Sequence, residues 1–177
     1  MGLNMSKLLP ASIGYVPIYI MVFGLEGAGK RTLASKLQLS SSTAYTTEGV
    51  LVMSMGYNNV RFEVFDVVAG KNVNPPLPAH FKGPLALVFV VDAHNREKIS
   101  EAAEELHRVL IKPEFHNVPL LVFCNKLDVS QAMTKAEIET KLGLHALISG
   151  TWYTQGSSGS KGEGIYDGFQ WLSNNIK

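Results

Sequence analysis

An α/β domain built on a mostly parallel six-stranded sheet, with one antiparallel edge and helices on both faces, is what this sequence predicts. Two patterns carry that expectation. From Val16 onward, short β-branched apolar runs alternate with longer segments of helical period, the signature of βαβ units and a parallel sheet. The segment Val50 to Asp66 breaks the rhythm. There, two strand-like runs flank the turn-prone Tyr57-Asn58-Asn59 and close an antiparallel hairpin, a common addition to a parallel sheet. At 177 residues and 46% hydrophobic content the chain suits one packed core and would be cramped as two.

The first residues, Met1-Gly2-Leu3-Asn4-Met5-Ser6, fit the pattern for myristoylation of Gly2, with Ser6 in the required place. Leu3, Met5, Leu8 and Leu9 supply the apolar contact that a single acyl chain needs, and Pro10 ends the segment. The division expected is therefore a lipid-bearing amphipathic segment over 1–14 and one domain over 15–177. The apolar run Val16 to Phe23 is too short for a membrane helix, which takes about twenty residues. With 16 basic and 15 acidic side chains the formal charge is +1, which argues against a nucleic-acid partner. A single cysteine, Cys124, and no secretory signal point to the reducing cytosol.

Strands are expected at Ile18 to Phe23, Leu85 to Asp92, Pro119 to Asn125 and Trp152 to Gln155, besides the two of the hairpin. After Asp92, the three- and four-residue spacing of Ile99, Ala102, Ala103, Leu106, Val109 and Leu110 marks the buried face of a helix. Thr134-Lys135-Ala136-Glu137 has the form of a capping box opening a helix from Lys135 to about Leu142. A last helix, about Gly164 to Ile176, buries Ile165, Phe169, Leu172 and Ile176, and the Gly- and Ser-rich stretch before it is a loop.

The first strand runs into Gly24-Leu25-Glu26-Gly27-Ala28-Gly29-Lys30 with a helix beginning there, the arrangement of a phosphate-binding P-loop. Glycines let such a loop aim its backbone amides at one anion, the helix N-terminus adds partial positive charge, and Lys30 reaches the outer phosphates. The next position should be Ser or Thr, to ligate Mg2+, and is Arg31. Thr32 comes one residue late, a rotation of about 100° on a helix, so it should point elsewhere. The guanidinium of Arg31 is suited to pair with phosphate instead.

At the end of the third parallel strand stands Asn125-Lys126-Leu127-Asp128. A carboxylate in the base plane accepts from the ring N–H and the exocyclic amine of guanine, a pairing adenine does not offer, so Asp128 should select GTP and GDP.

The chain resembles the Arf and Arf-like small GTPases along nearly its whole length. The resemblance is carried by Leu87 to Asp92, Lys141 to His145, Trp152-Tyr153, and Asp167 to Asn174 with its Trp171-Leu172-Ser173-Asn174. It implies a P-loop NTPase fold, with Glu26, Gly27, Ala28, Gly29, Lys30, Arg31, Thr32, Thr47 and Ala69 around the phosphates. It also implies that Asn125 buttresses the base loop, that Lys126 lies over the base, and that Ser158-Gly159-Ser160 offers an amide to the guanine oxygen. A myristoylated Gly2, exchange factors, activating proteins and effectors of Arf type, and a place on the Golgi or other endomembranes follow from the same likeness.

The resemblance also exposes departures. Where the family reads Asp-Val-Gly-Gly-Gln, this chain has Asp66-Val67-Val68-Ala69-Gly70. Asp66 keeps the carboxylate that holds Mg2+ through water, and Thr47 in Thr47-Glu48-Gly49 keeps a second metal ligand. Ala69 adds a methyl where glycine allows close approach of the γ-phosphate. Gly70 replaces the water-orienting glutamine, which leaves no confident catalytic residue. Pro75, Pro76 and Pro78 should prevent the helix that the family carries there. The function expected is an Arf-like, membrane-trafficking switch with weak or absent GTP hydrolysis and weakened Mg2+ binding. The alternative is a non-hydrolysing pseudo-GTPase that acts as a protein scaffold.

Overall fold

The computed structural model describes residues 18–37, 41–47, 50–57, 60–66, 85–147 and 150–176, with backbone alone at 41–47, 50–57, 60–62 and 65–66. The strands are β1 (Ile18–Phe23), β2 (Ser41–Thr47), β3 (Val50–Tyr57), β4 (Val60–Asp66), β5 (Leu85–Asp92), β6 (Leu120–Asn125) and β7 (Trp152–Gly156). The helices are α1 (Lys30–Ser35), α2 (Ile99–Leu110), α3 (Lys135–Lys141) and α4 (Ile165–Asn175).

One seven-stranded sheet runs in the order β2-β3-β4-β1-β5-β6-β7. Five neighbours, from β4 through β1, β5 and β6 to β7, pair in parallel, and β3 pairs antiparallel with both β4 and β2. The expectation of six strands with an antiparallel edge is thus corrected. The antiparallel strand lies one position inside the edge, and β2 covers it in a full ladder from Ser41↔Gly56 to Thr47↔Val50. The segment Ser41-Ser42-Thr43-Ala44-Tyr45-Thr46-Thr47 has no alternation of apolar and polar residues to announce a strand. Its backbone pairing and the pleat-compatible Thr and Tyr residues are enough.

Side chains alternate along each central strand, so each feeds two cores. Ile18, Ile20 and Val22 of β1 join Val88 and Val90 of β5 and Phe123 of β6 under α1 and α4. Met21 and Phe23 join Leu87, Phe89, Val122 and Cys124 under α2 and α3. With both faces covered, these strands read as continuous apolar runs, as parallel strands do.

The caps form as the sequence indicates. Thr134 Oγ1 accepts from the Glu137 N–H at 3.2 Å, and the Glu137 carboxylate accepts from the Thr134 N–H at 2.8 Å. On α2 the buried face includes Glu105 as well as Ile99, Ala102, Leu106 and Val109. Burial pushes the Glu105 carboxyl above its ordinary range, against the pull of Arg108, which pairs with it at 2.5 Å. No helix among the described residues is long and apolar enough to cross a membrane.

Phe169 of α4 is fully buried and packs its ring 5.5 Å from that of Phe123. Phe169→Ala is expected to cost about 3–5 kcal/mol and to lower the thermal midpoint by roughly 6–20 °C. Ile111 is 76% exposed. Ile111→Ala should leave the midpoint almost unmoved, within about 0.5 kcal/mol in the same melting assay.

Candidate nucleotide site

Because β1, β5, β6 and β7 run in parallel, the loops that leave their carboxyl ends gather along one edge of the sheet. Asp92 of β5 stands opposite Asn125 of β6, and Cys124 opposite Gly156 of β7. The chain reverses direction of travel across the sheet beside β1, which is where open α/β sheets hold ligands.

The loop from β1 to α1 turns through three glycines with positive φ, Gly24 at 141°, Gly27 at 79° and Gly29 at 99°. A methyl at Gly24 would lie 2.2 Å from the carbonyl oxygen of Val90 in the neighbouring strand. Only a bare backbone fits there. Lys30, buried at the start of α1, donates through Nζ to the carbonyl oxygens of Gly24 and Leu25, each at 2.7 Å. Glu26, Gly27, Gly29, Lys30, Arg31 and Thr32, together with Lys126, line an open cleft of about 470 Å3. The first-turn amides of a helix have no intrahelical acceptor, so this cleft is suited to an anion.

Arg31 and Thr32 are both exposed on that first turn. The Thr32 methyl reaches toward the base loop, 3.6 Å from where a methyl on Gly159 would sit. A guanidinium has five N–H donors and no lone pair to give a cation, so Arg31 is no ligand for Mg2+. The side chains of Thr47 and Asp66, and all of Gly2, Glu48, Ala69, Gly70, Pro75, Pro76 and Pro78, lie outside the described residues.

Asn125, the last residue of β6, is 2% exposed and ties the loops together. Its Nδ2 donates to the Ala28 carbonyl at 2.9 Å. Its Oδ1 accepts from the Gly159 N–H at 2.8 Å and from the Ser157 hydroxyl at 3.3 Å. Glycines make room on two sides: a methyl at Gly29 would meet Nδ2 at 2.3 Å, and one at Gly159 would meet Oδ1 at 3.3 Å. The phosphate loop and the base loop are thus joined through one side chain.

Lys126 follows in the left-handed region, with φ of 63°, which a lysine adopts only when its surroundings hold it there. Its Nζ donates to the Gly27 carbonyl at 2.8 Å and to Asp92 Oδ2 at 2.7 Å. Asp92 Oδ1 accepts in turn from the His94 N–H at 3.0 Å. Asp128 is exposed, and Lys161 Nζ stands 3.3 Å from its Oδ2. The hydroxyl of Ser158 and the ammonium of Lys161 hold its carboxyl below the usual carboxylate range. Ser158 and Gly159 are buried in the loop after β7, and Ser160 is exposed beside them, 3.3 Å from the Ser158 hydroxyl.

Sequence reasoning missed Asp92, Ser157 and Lys161. Asp92 was visible as an acidic residue ending a strand on the same edge as Lys126, and Lys161 as the one basic residue between Gly156 and Gly164. Cys124 is fully buried beneath α2 and α3, and burial pushes its thiol up to about 12.

Asn125→Ala would strand the Gly159 N–H and the Ala28 carbonyl in a buried place, and a loss of about 2–4 kcal/mol is expected in denaturant unfolding. The Asp92–Lys126 pair is partly solvated, with side-chain exposures of 20% and 38%. Asp92→Asn should therefore cost under about 1 kcal/mol in the same experiment.

The model of the ADP-ribosylation factor (Arf) family matches residues 8–176, a span that takes in every loop of the site. That match, over a chain in which Asn125 joins the loop after β1 to the loop after β7, shows that the chain belongs to the ADP-ribosylation factor family of small GTP-binding proteins.

Proposed function

We propose that this protein is a guanine-nucleotide-dependent switch in membrane and vesicle trafficking whose intrinsic GTP hydrolysis is very slow or undetectable. The observation that carries the nucleotide part is the Asn125 bridge, since it holds the phosphate loop and the base loop at one fixed spacing. Positions Glu26 to Thr32, Asn125, Lys126, Asp128 and Ser158 to Ser160 then bind the nucleotide, as the family relationship supports.

Lack of turnover rests on Gly70, which has no side chain to orient the attacking water, and on Ala69 beside it. Arg31 takes phosphate charge in place of the hydroxyl that would hold Mg2+. A membrane role rests on Gly2 and the apolar side chains of the 1–14 segment, ahead of a nucleotide-binding domain over 15–177. This reading places the protein in the cytoplasm and on the surface of the Golgi or other endomembranes. Exchange factors, activating proteins and effectors of Arf type would be its partners there.

The deciding experiment is to denature the purified protein and identify the released nucleotide by chromatography. Bound GTP is the expected result, with single-turnover hydrolysis far below that of an ordinary small GTPase. Turnover at the ordinary rate would overturn the hydrolysis part. A folded protein that is empty and binds no added GTP would favour a scaffold, a reading to which Arg31 lends support. Affinity for GTP should change by less than about tenfold between excess Mg2+ and a chelator, because the ligand from α1 is missing. A larger loss on chelation would remove Arg31 from the role assigned to it.

A further inference from the structure

The carboxylate that should read the base already has a cation on it. Lys161 Nζ lies 3.3 Å from Asp128 Oδ2. Its placement is set by the backbone of the loop after β7. The Ser158 N–H donates to the Glu163 carbonyl at 3.1 Å, and the Gly162 N–H to the Ser158 carbonyl at 2.8 Å. Gly162, with φ of 80°, permits the tight reversal. Within that turn the Lys161 N–H reaches the Ser158 hydroxyl at 3.4 Å, so the turn itself directs the lysine back over Asp128.

Guanine and hypoxanthine share the 6-oxygen and the N1–H and differ only in the exocyclic 2-amine. Full discrimination needs both carboxylate oxygens, one for N1–H and one for the amine. When a charged group is left unpaired by the wrong base, rejection is steep. Here one of the two carboxylate oxygens, Oδ2, is already shared with an ammonium, so a base without the amine leaves no unpaired charge behind.

Resting on the guanine-nucleotide reading above, we propose that Lys161 is a specificity-determining residue. It relaxes the demand for the 2-amino group, so that the site takes hypoxanthine nucleotides nearly as well as guanine nucleotides. The test is competition of unlabelled GDP and IDP against a fluorescent GDP on the full chain, with Lys161→Ser and Lys161→Arg alongside. Lys161 is exposed, and circular dichroism checks that the variants are folded.

The dissociation constant for IDP should exceed that for GDP by less than about tenfold in the native chain and in Lys161→Arg. In Lys161→Ser the ratio should rise at least about fivefold, because the carboxylate then meets the base without the ammonium on it. A native ratio above tenfold, or one that Lys161→Ser does not move, overturns the role of Lys161 while leaving nucleotide binding intact. Failure of every nucleotide to bind the folded protein overturns the underlying reading, and the inference with it.

Discussion

Asn125 sits at the carboxyl end of β6 with its amide engaged between two loops that are far apart in the chain, those around Ala28 and Gly159. A buried amide with both its nitrogen and its oxygen hydrogen-bonded is a rigid spacer, and one half-satisfied is a liability of a few kcal/mol. The bridge exists only because β1, β6 and β7 deliver their loops to the same edge, and only because glycines at positions 29 and 159 leave room for it. Sheet order, loop glycines and base reader are in this sense one arrangement. Lys126 repeats the link one residue later by holding the Gly27 carbonyl, with Asp92 fixing its other side.

Most of this was legible in the sequence where the information is local. A glycine-rich turn between a strand and a helix, the Asn125 to Asp128 stretch at a strand end, and the three- and four-residue spacing along α2 and α4 are patterns a short window contains. The Arf family match over residues 8–176 agrees with the likeness those stretches suggested. What could not be read was what depends on distant partners. The β2 segment is a strand through its ladder with β3, without a pattern of its own. Glu105 is buried on a helix face that otherwise alternates cleanly, and its burial is visible only once α2 is packed. Lys161 was unremarkable until the turn from Ser158 to Glu163 carried it to Asp128.

The electrostatics of the site are those of paired charges brought close to a cleft. Lys126 is matched by Asp92 and Asp128 by Lys161, while Lys30 is turned onto carbonyl oxygens of its own loop. Dipoles and ions held in this way need little rearrangement when a charged ligand arrives. Arg31 changes the balance at the mouth, since a permanent cation stands where the fold ordinarily presents a neutral hydroxyl.

The single cysteine has a practical consequence for studying motion. Cys124 is sealed under α2 and α3, and with its thiol near 12 almost none of it is thiolate at neutral pH. A maleimide is therefore expected to leave the folded chain unlabelled. One cysteine introduced on the surface can therefore carry a spin label or a dye without first replacing the native one. The core beneath α2 and α3 then stays as nature packed it while the loops around the cleft are watched.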